Sequence, residues 1–373
     1  MKSKISGILL RPGAMAVSAL VVWCAGLPTV PRALADEASA RPAERVAPRR
    51  DGLPRKVLLG TVVSGYDAIF KFPLEKRLQR MDELVGAMET QARAKYPGRR
   101  LDLAVLTEWF MSRPGATLEQ QAVRLGDVSQ RIEACARQHE CYLVVPLVLR
   151  EEGEPLRYSN VAVLVDREGR LIGAYRKVHP TTDHLSYALL EGGITPGRDY
   201  PVFDCDFGRV GIQICYDVMY PEGWQMLAKE GAEIVAFPSE TSVTARPSMY
   251  ALQHRYYIVS ATPKDHAAIY NPLGMIDAEA TQEGVLVHQI DLSYAITGWA
   301  PGLDGGGSLR RKYGDGVGFT YYQGEDAGIF WSNDPRISIG QMFKAFGYHE
   351  PDDDAERSRL VQDRARGGPP MFP

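Results

Sequence analysis

From Val57 onward the chain alternates apolar runs with amphipathic ones. VLLGTVV is continuously apolar; Leu74, Leu78, Met81, Leu84, Val85 and Met88 then recur at helical spacing, and LDLAVL is apolar again. This predicts strand, helix, strand. The pattern repeats with Val128, Ile132, Cys135 and Ala136 on one helical face, followed by YLVVPLVL, whose unbroken apolarity suits a strand covered on both sides. Such alternation predicts an α/β fold.

YSNVAVLVDREGRLIGAYRK reads as two strands about the turn Asp166-Arg167-Glu168-Gly169, which brings antiparallel pairing into the sheet. RVGIQIC, AEIVAFP, YIVSATP and GVLVHQIDL supply further strands. The total, roughly ten to twelve, exceeds one short sheet, so two packed sheets with helices outside are expected. After Asp291 the chain turns rich in glycine and aromatics, which reads as an irregular extension over 293–350 with one short helix around ISIGQMFKAFG. The charged, proline-bearing end, 351–373, reads as a helical turn and a loose tail.

The first residues follow another pattern. Lys2, Lys4 and Arg11 precede the apolar run GAMAVSALVVWCAGL, and Ala33-Leu34-Ala35 offers a small-x-small cleavage site before Asp36. Residues 1–35 therefore read as a signal peptide and the protein as exported, periplasmic or extracellular; the run falls short of a span of about 20 residues, and an uncleaved anchor is the alternative. Residues 36–55, polar and aperiodic, read as a flexible leader, with order expected from about Lys56. Loss of Lys2, Lys4, Arg11 and Arg32 with the signal moves the formal charge from −3 to −7, which excludes a basic nucleic-acid surface. Four cysteines remain, Cys135, Cys141, Cys205 and Cys215, too few for a disulfide scaffold. Cys135 and Cys141 can pair, but two buried thiols explain the sequence as well. His139 between them has no matching ligand group elsewhere, so no metal is expected.

Three apolar strands end in reactive side chains: VLTEW in Glu108, YRKVHP in Lys177 and QICYD in Cys215. Singly, each has a bland explanation as a solvated strand-end charge or a small core residue. Together they supply what acyl transfer from an amide requires. Cys215 is the nucleophile, Glu108 the proton shuttle, and Lys177 the positive charge beside the tetrahedral oxyanion, with a field that favours the thiolate. Pro221 and Glu222 suit the first turn of a helix, so Cys215 should sit on a turn leading to it, where the backbone N–H of Tyr216 can face the oxyanion.

LDLAVLTEWF, NVAVLVDREGRLIGAYRKVHP, TPG, FGRVGIQICYDVMYPE and GAEIVAFPS resemble, in order, the signatures of the nitrilase superfamily of carbon–nitrogen hydrolases. The resemblance runs from about Lys56 to Leu292 and marks 56–292 as the hydrolase domain. It implies a four-layer αββα sandwich, a Glu108, Lys177, Cys215 triad, no cofactor, a small-molecule amide substrate and a homo-oligomer. Cys-Tyr-Asp resembles the amidase and N-carbamoyl-amide hydrolase branches; a nitrilase, or a binding module on a retired hydrolase scaffold, is the alternative. Thr107 departs from the usual proline before the glutamate. For the family's second glutamate, Glu191 is the candidate, with Asp183 and His184 nearer the position some members use. Glu240, Thr241 and Arg246, after AEIVAFP, are candidates for the substrate pocket, Arg246 suiting a carboxylate.

Overall fold

A computed structural model describes residues 49–183 and 185–367. The expected signal peptide and most of the leader lie outside them. Within them the strands run β1 (Lys56–Val63), β2 (Leu103–Val105), β3 (Tyr142–Glu151), β4 (Arg157–Val165), β5 (Leu171–Arg176), β6 (Val202–Cys205) and β7 (Gly208–Ile212). β8 (Ile234–Pro238), β9 (Tyr257–Ala261), β10 (Ala267–Tyr270), β11 (Ile276–Ala280) and β12 (Gly284–Asp291) follow. They form two six-stranded sheets, ordered β12-β1-β2-β3-β4-β5 and β11-β10-β9-β8-β7-β6. Each has a parallel centre, β1-β2-β3 and β7-β8-β9, flanked by antiparallel pairs.

The helices α1 (Tyr66–Phe70), α2 (Leu74–Lys95), α3 (Leu118–Gln121), α4 (Leu125–His139), α5 (Pro221–Lys229) and α6 (Ala245–His254) connect these strands. The apolar stripe Leu78, Met81, Val85, Met88 of α2 and Val128, Ile132, Cys135 of α4 are buried in one cluster with the first sheet. Trp224 and Leu227 of α5 and Tyr250 and Ala251 of α6 pack on Val235, Phe237 and Ile258 of the second. Val105, Ile212, Ala236 and Val259 bring the inner faces of both sheets into the same buried core. The layers are thus helix, sheet, sheet, helix, as the sequence predicts.

The hairpin turn is as expected: the Gly169 N–H donates to the Asp166 carbonyl at 2.9 Å, with Gly169 at φ 75°. The extension is not irregular. β13 (Tyr294–Gly298), β14 (Val317–Tyr322) and β15 (Ala327–Ser332) form a three-stranded sheet, β13-β15-β14, with α7 (Gly307–Tyr313) and α8 (Ile339–Lys344). Three of its glycines, Gly298, Gly318 and Gly328, fill strand positions: Gly318 faces Trp331, and a Cβ there would lie 2.1 Å from the indole Nε1. Composition read as loop is room for a large ring. Likewise α9 (Pro351–Arg366) replaces the expected turn and loose tail. Order also begins before Lys56, because Arg49 donates to the Tyr294 hydroxyl at 2.7 Å and Arg50 pairs with Glu350 and Asp353 at 2.6 and 2.7 Å.

Candidate active site

Glu108 follows β2 at the centre of the first sheet, and the chain turns sharply after it, with Trp109 at φ 62°. Arg77, buried on the inner face of α2, holds that turn: its guanidinium donates to the carbonyls of Phe72, Trp109 and Phe110 at 2.8, 3.1 and 3.2 Å. Burial lowers the Arg77 pKa to about 10, which leaves it charged at neutral pH. Thr107, where the family's usual proline is absent, uses its hydroxyl to meet that of Ser64 at 3.1 Å.

Lys177 directly follows β5, and both it and Glu108 are almost wholly buried. Its Nζ donates to Glu108 Oε1 at 3.0 Å and to Glu191 Oε1. Burial opposes the ammonium charge, but Glu108, Cys215 and Glu191 outweigh it and hold the lysine well above its ordinary range. Asn160 of β4 spans the two acids, its Nδ2 donating to Glu108 Oε1 at 2.8 Å and Glu191 Oε2 at 3.3 Å. The other Glu108 oxygen accepts the backbone N–H of Glu240 at 2.9 Å. A buried carboxylate with three donors is fixed in place.

Cys215 opens the short 3-10 turn Cys215–Met219 at φ 45°, a left-handed conformation uncommon for a residue with a side chain. Asp217 maintains it. Its carboxylate accepts the Ile214 N–H at 2.9 Å, the Tyr175 hydroxyl at 2.8 Å, and the N–H and Nδ1 of His179 at 2.9 and 3.1 Å. One buried acid thus ties the turn bearing Cys215 to the segment just after Lys177. The Cys215 thiol lies among Glu108, Lys177, Ser239 and the Glu240 N–H. Burial, then the Glu108 charge, push it up to about 12, against the smaller opposite pull of Lys177, Ser239 and the Glu240 N–H. The expected lysine field is present, but it does not by itself yield a thiolate.

The sequence profile of the carbon-nitrogen hydrolases matches residues 66–298. The chain belongs to this family. Among curated proteins it is 28% identical over 215 residues to the omega-amidase NIT2 of Homo sapiens, covering 50% of this chain and 75% of that protein. The omega-amidase NIT2 of Danio rerio is 25% identical over 221 residues, covering 53% and 79%. Among solved structures, Nit3 of Saccharomyces cerevisiae, a nitrilase-superfamily member, aligns with TM-score 0.52 at 22% identity, covering 64% of this chain and 91% of that one. An amidase of Nesterenkonia sp. AN1 aligns with TM-score 0.51 at 19% identity, covering 65% and 92%. At such identities the structural likeness is one of fold.

In this carbon-nitrogen hydrolase Glu191 joins Glu108 and Lys177, whereas Asp183 caps its own loop by accepting the N–H groups of Ser186 and Ala188 at 2.6 and 3.1 Å; His184 lies outside the described residues. Tyr216 follows Cys215 in the turn, and its ring meets Tyr220 edge-on at 5.8 Å. Thr241 meets Ser239 through its backbone, its carbonyl accepting the Ser239 hydroxyl at 2.7 Å. Arg246 is exposed on α6 and engages Tyr250. Asn160, Asp217 and Arg77 escaped the sequence reading. The signal available for Asn160 was an amide at the head of the apolar run VAVLV, and for Arg77 a charge beside the apolar stripe of α2.

Proposed function

We propose that this chain is an exported amidase that cleaves the carbon–nitrogen bond of a linear amide or N-carbamoyl amide through a cysteine thioester. The observation that carries the reading is the Glu108 carboxylate, buried, bonded to Lys177 at 3.0 Å and next to the Cys215 thiol. Because the thiol rests protonated, attack and proton loss must go together. Cys215 Sγ bonds to the carbonyl carbon as Glu108 takes the thiol proton. The carbonyl electron pair moves to oxygen, where the Lys177 ammonium and a backbone N–H, Tyr216 the candidate, face the oxyanion. Collapse breaks the C–N bond, Glu108 returns the proton to the leaving nitrogen, and ammonia or an amine departs. Water then attacks the thioester with Glu108 again as base, and the acid leaves as the thiol is restored. Lys177 and Asn160 hold Glu108 oriented between the two halves, and Glu191 balances the lysine charge.

The test is ammonia release over a panel of amides, N-carbamoyl compounds and nitriles. Cys215→Ala should abolish turnover with an unchanged circular dichroism spectrum. Retained turnover would sink the mechanism, and release from nitriles alone would move the chain to the nitrilase branch.

A further inference from the structure

The charges around Cys215 do not cancel. Among the described residues Lys177 is the one cation bonded to the two acids Glu108 and Glu191, so the formal charges leave one negative in excess. Glu240 adds another. Its backbone N–H is fixed on Glu108 at 2.9 Å, the residue is exposed, and its carboxyl interacts with Glu108, Lys177 and Glu191. Burial and then the Glu108 charge lift the Glu240 carboxyl above its ordinary range, more than Lys264 and Lys177 draw it back. This is a carboxylate crowded by carboxylates. Lys264, the cation on this side, has its Nζ 5.6 Å from the centre of the Tyr66 ring and interacts with Asp265 as well as Glu240. Ser64 and Tyr66 line a cleft of about 380 Å³ whose charged lining, Asp67, Lys76, Arg80, Glu83 and Glu283, also carries one acid in excess. Two residues of this cleft touch neighbours of the site: Ser64 bonds to Thr107, the residue before Glu108, at 3.1 Å, and Tyr66 interacts with Lys264. Arg246, the group suited to a substrate carboxylate, engages Tyr250 on α6 instead.

We propose that the substrate is an amide whose far end bears a positive charge, of the primary-amine class, and that Glu240 binds its ammonium. The inference rests on the amidase reading of the same site and names its substrate class. An ammonium beside Glu240 neutralises the excess negative charge, whereas a substrate carboxylate adds to it.

The experiment compares kcat/KM for three amides of similar length, γ-aminobutyramide, its neutral isostere pentanamide, and succinamate, with Cys215→Ala as blank. At low salt the cationic amide should exceed the neutral one by about tenfold and the anionic one should fall about tenfold below it. Glu240→Gln should bring the cationic and neutral amides to within about twofold, chiefly through KM, and Lys264→Gln should widen the cation preference. Preference for the neutral or anionic amide, or a cation preference that survives in Glu240→Gln, overturns the inference and leaves the amidase reading standing. If none of the three is hydrolysed, the inference falls and the ammonia-release panel decides the amidase reading.

Discussion

Burial and the Glu108 carboxylate push the Cys215 thiol up to about 12, the same level that burial imposes on Cys141 and Cys205. Acidity therefore does not set Cys215 apart from structural thiols; a base at hand does. The two roles of Glu108 pull in opposite directions, which makes them separable. As a charge it opposes the thiolate, and as a base it creates one at the moment of attack. In Glu108→Gln the midpoint of the pH dependence of Cys215 alkylation should fall below about 12, because the upward push of that charge is gone. Amide hydrolysis should drop by about 10² to 10⁴ in the same variant. Alkylation that moves to higher pH would mean that Glu108 does not face the thiol. Asn160 belongs to the same group, since it donates to both Glu108 and Glu191.

Three strand ends meet at the site: β2 delivers Glu108, β5 delivers Lys177 and β7 leads to Cys215. The TPG motif secures the middle one. The Gly197 N–H donates to the Lys177 carbonyl at 2.9 Å, and a Cβ at Gly197 would stand 2.2 Å from the Arg176 carbonyl oxygen. That atom is backbone, so it cannot swing aside. Gly197→Ala should cost about 1–3 kcal/mol in denaturant unfolding and lower kcat by displacing Lys177. A variant as stable and as active as the parent would show that the segment has slack. α2 contributes in another way, because Arg77 anchors the turn after Glu108 from the layer behind it.

The hydrolase sandwich is tied to the chain beyond it by polar contacts. Arg255, at the end of α6, makes a two-pronged pair with Asp352 of α9 at 2.8 and 2.9 Å. The Tyr322 hydroxyl of β14 donates to Asp277 of β11 at 3.0 Å. Arg50 pairs with Glu350, so the leader reaches the C-terminal part at the point where it enters the described fold. Export is the remaining proposal for the whole chain. Expressed with its own N-terminus in a secreting host, the protein should appear outside the cytoplasm with an intact mass that starts at Asp36. A full-length mass with Met1 retained would favour the uncleaved anchor.

Periodicity and strand count pointed to two packed sheets with helices outside, because apolar strands covered on both faces and amphipathic helices leave few other ways to bury their surface; the family resemblance implied the four-layer sandwich. The order of Glu108, Lys177 and Cys215 at strand ends likewise made the candidate site legible before any coordinates. The extension was misread, since Gly318 looks like loop until Trp331 is seen across from it. Tertiary structure alone decided which residues hold the turns and how acidic the thiol is, and it brought Glu191, the acid named from the sequence, onto Lys177. Those depend on contacts between segments far apart in the chain and on burial, and neither is encoded in local pattern. Glu191 reaches the lysine while Asp183, eight positions earlier, caps its own loop. The same holds at Glu240, whose sequence neighbours say nothing of the acids it faces.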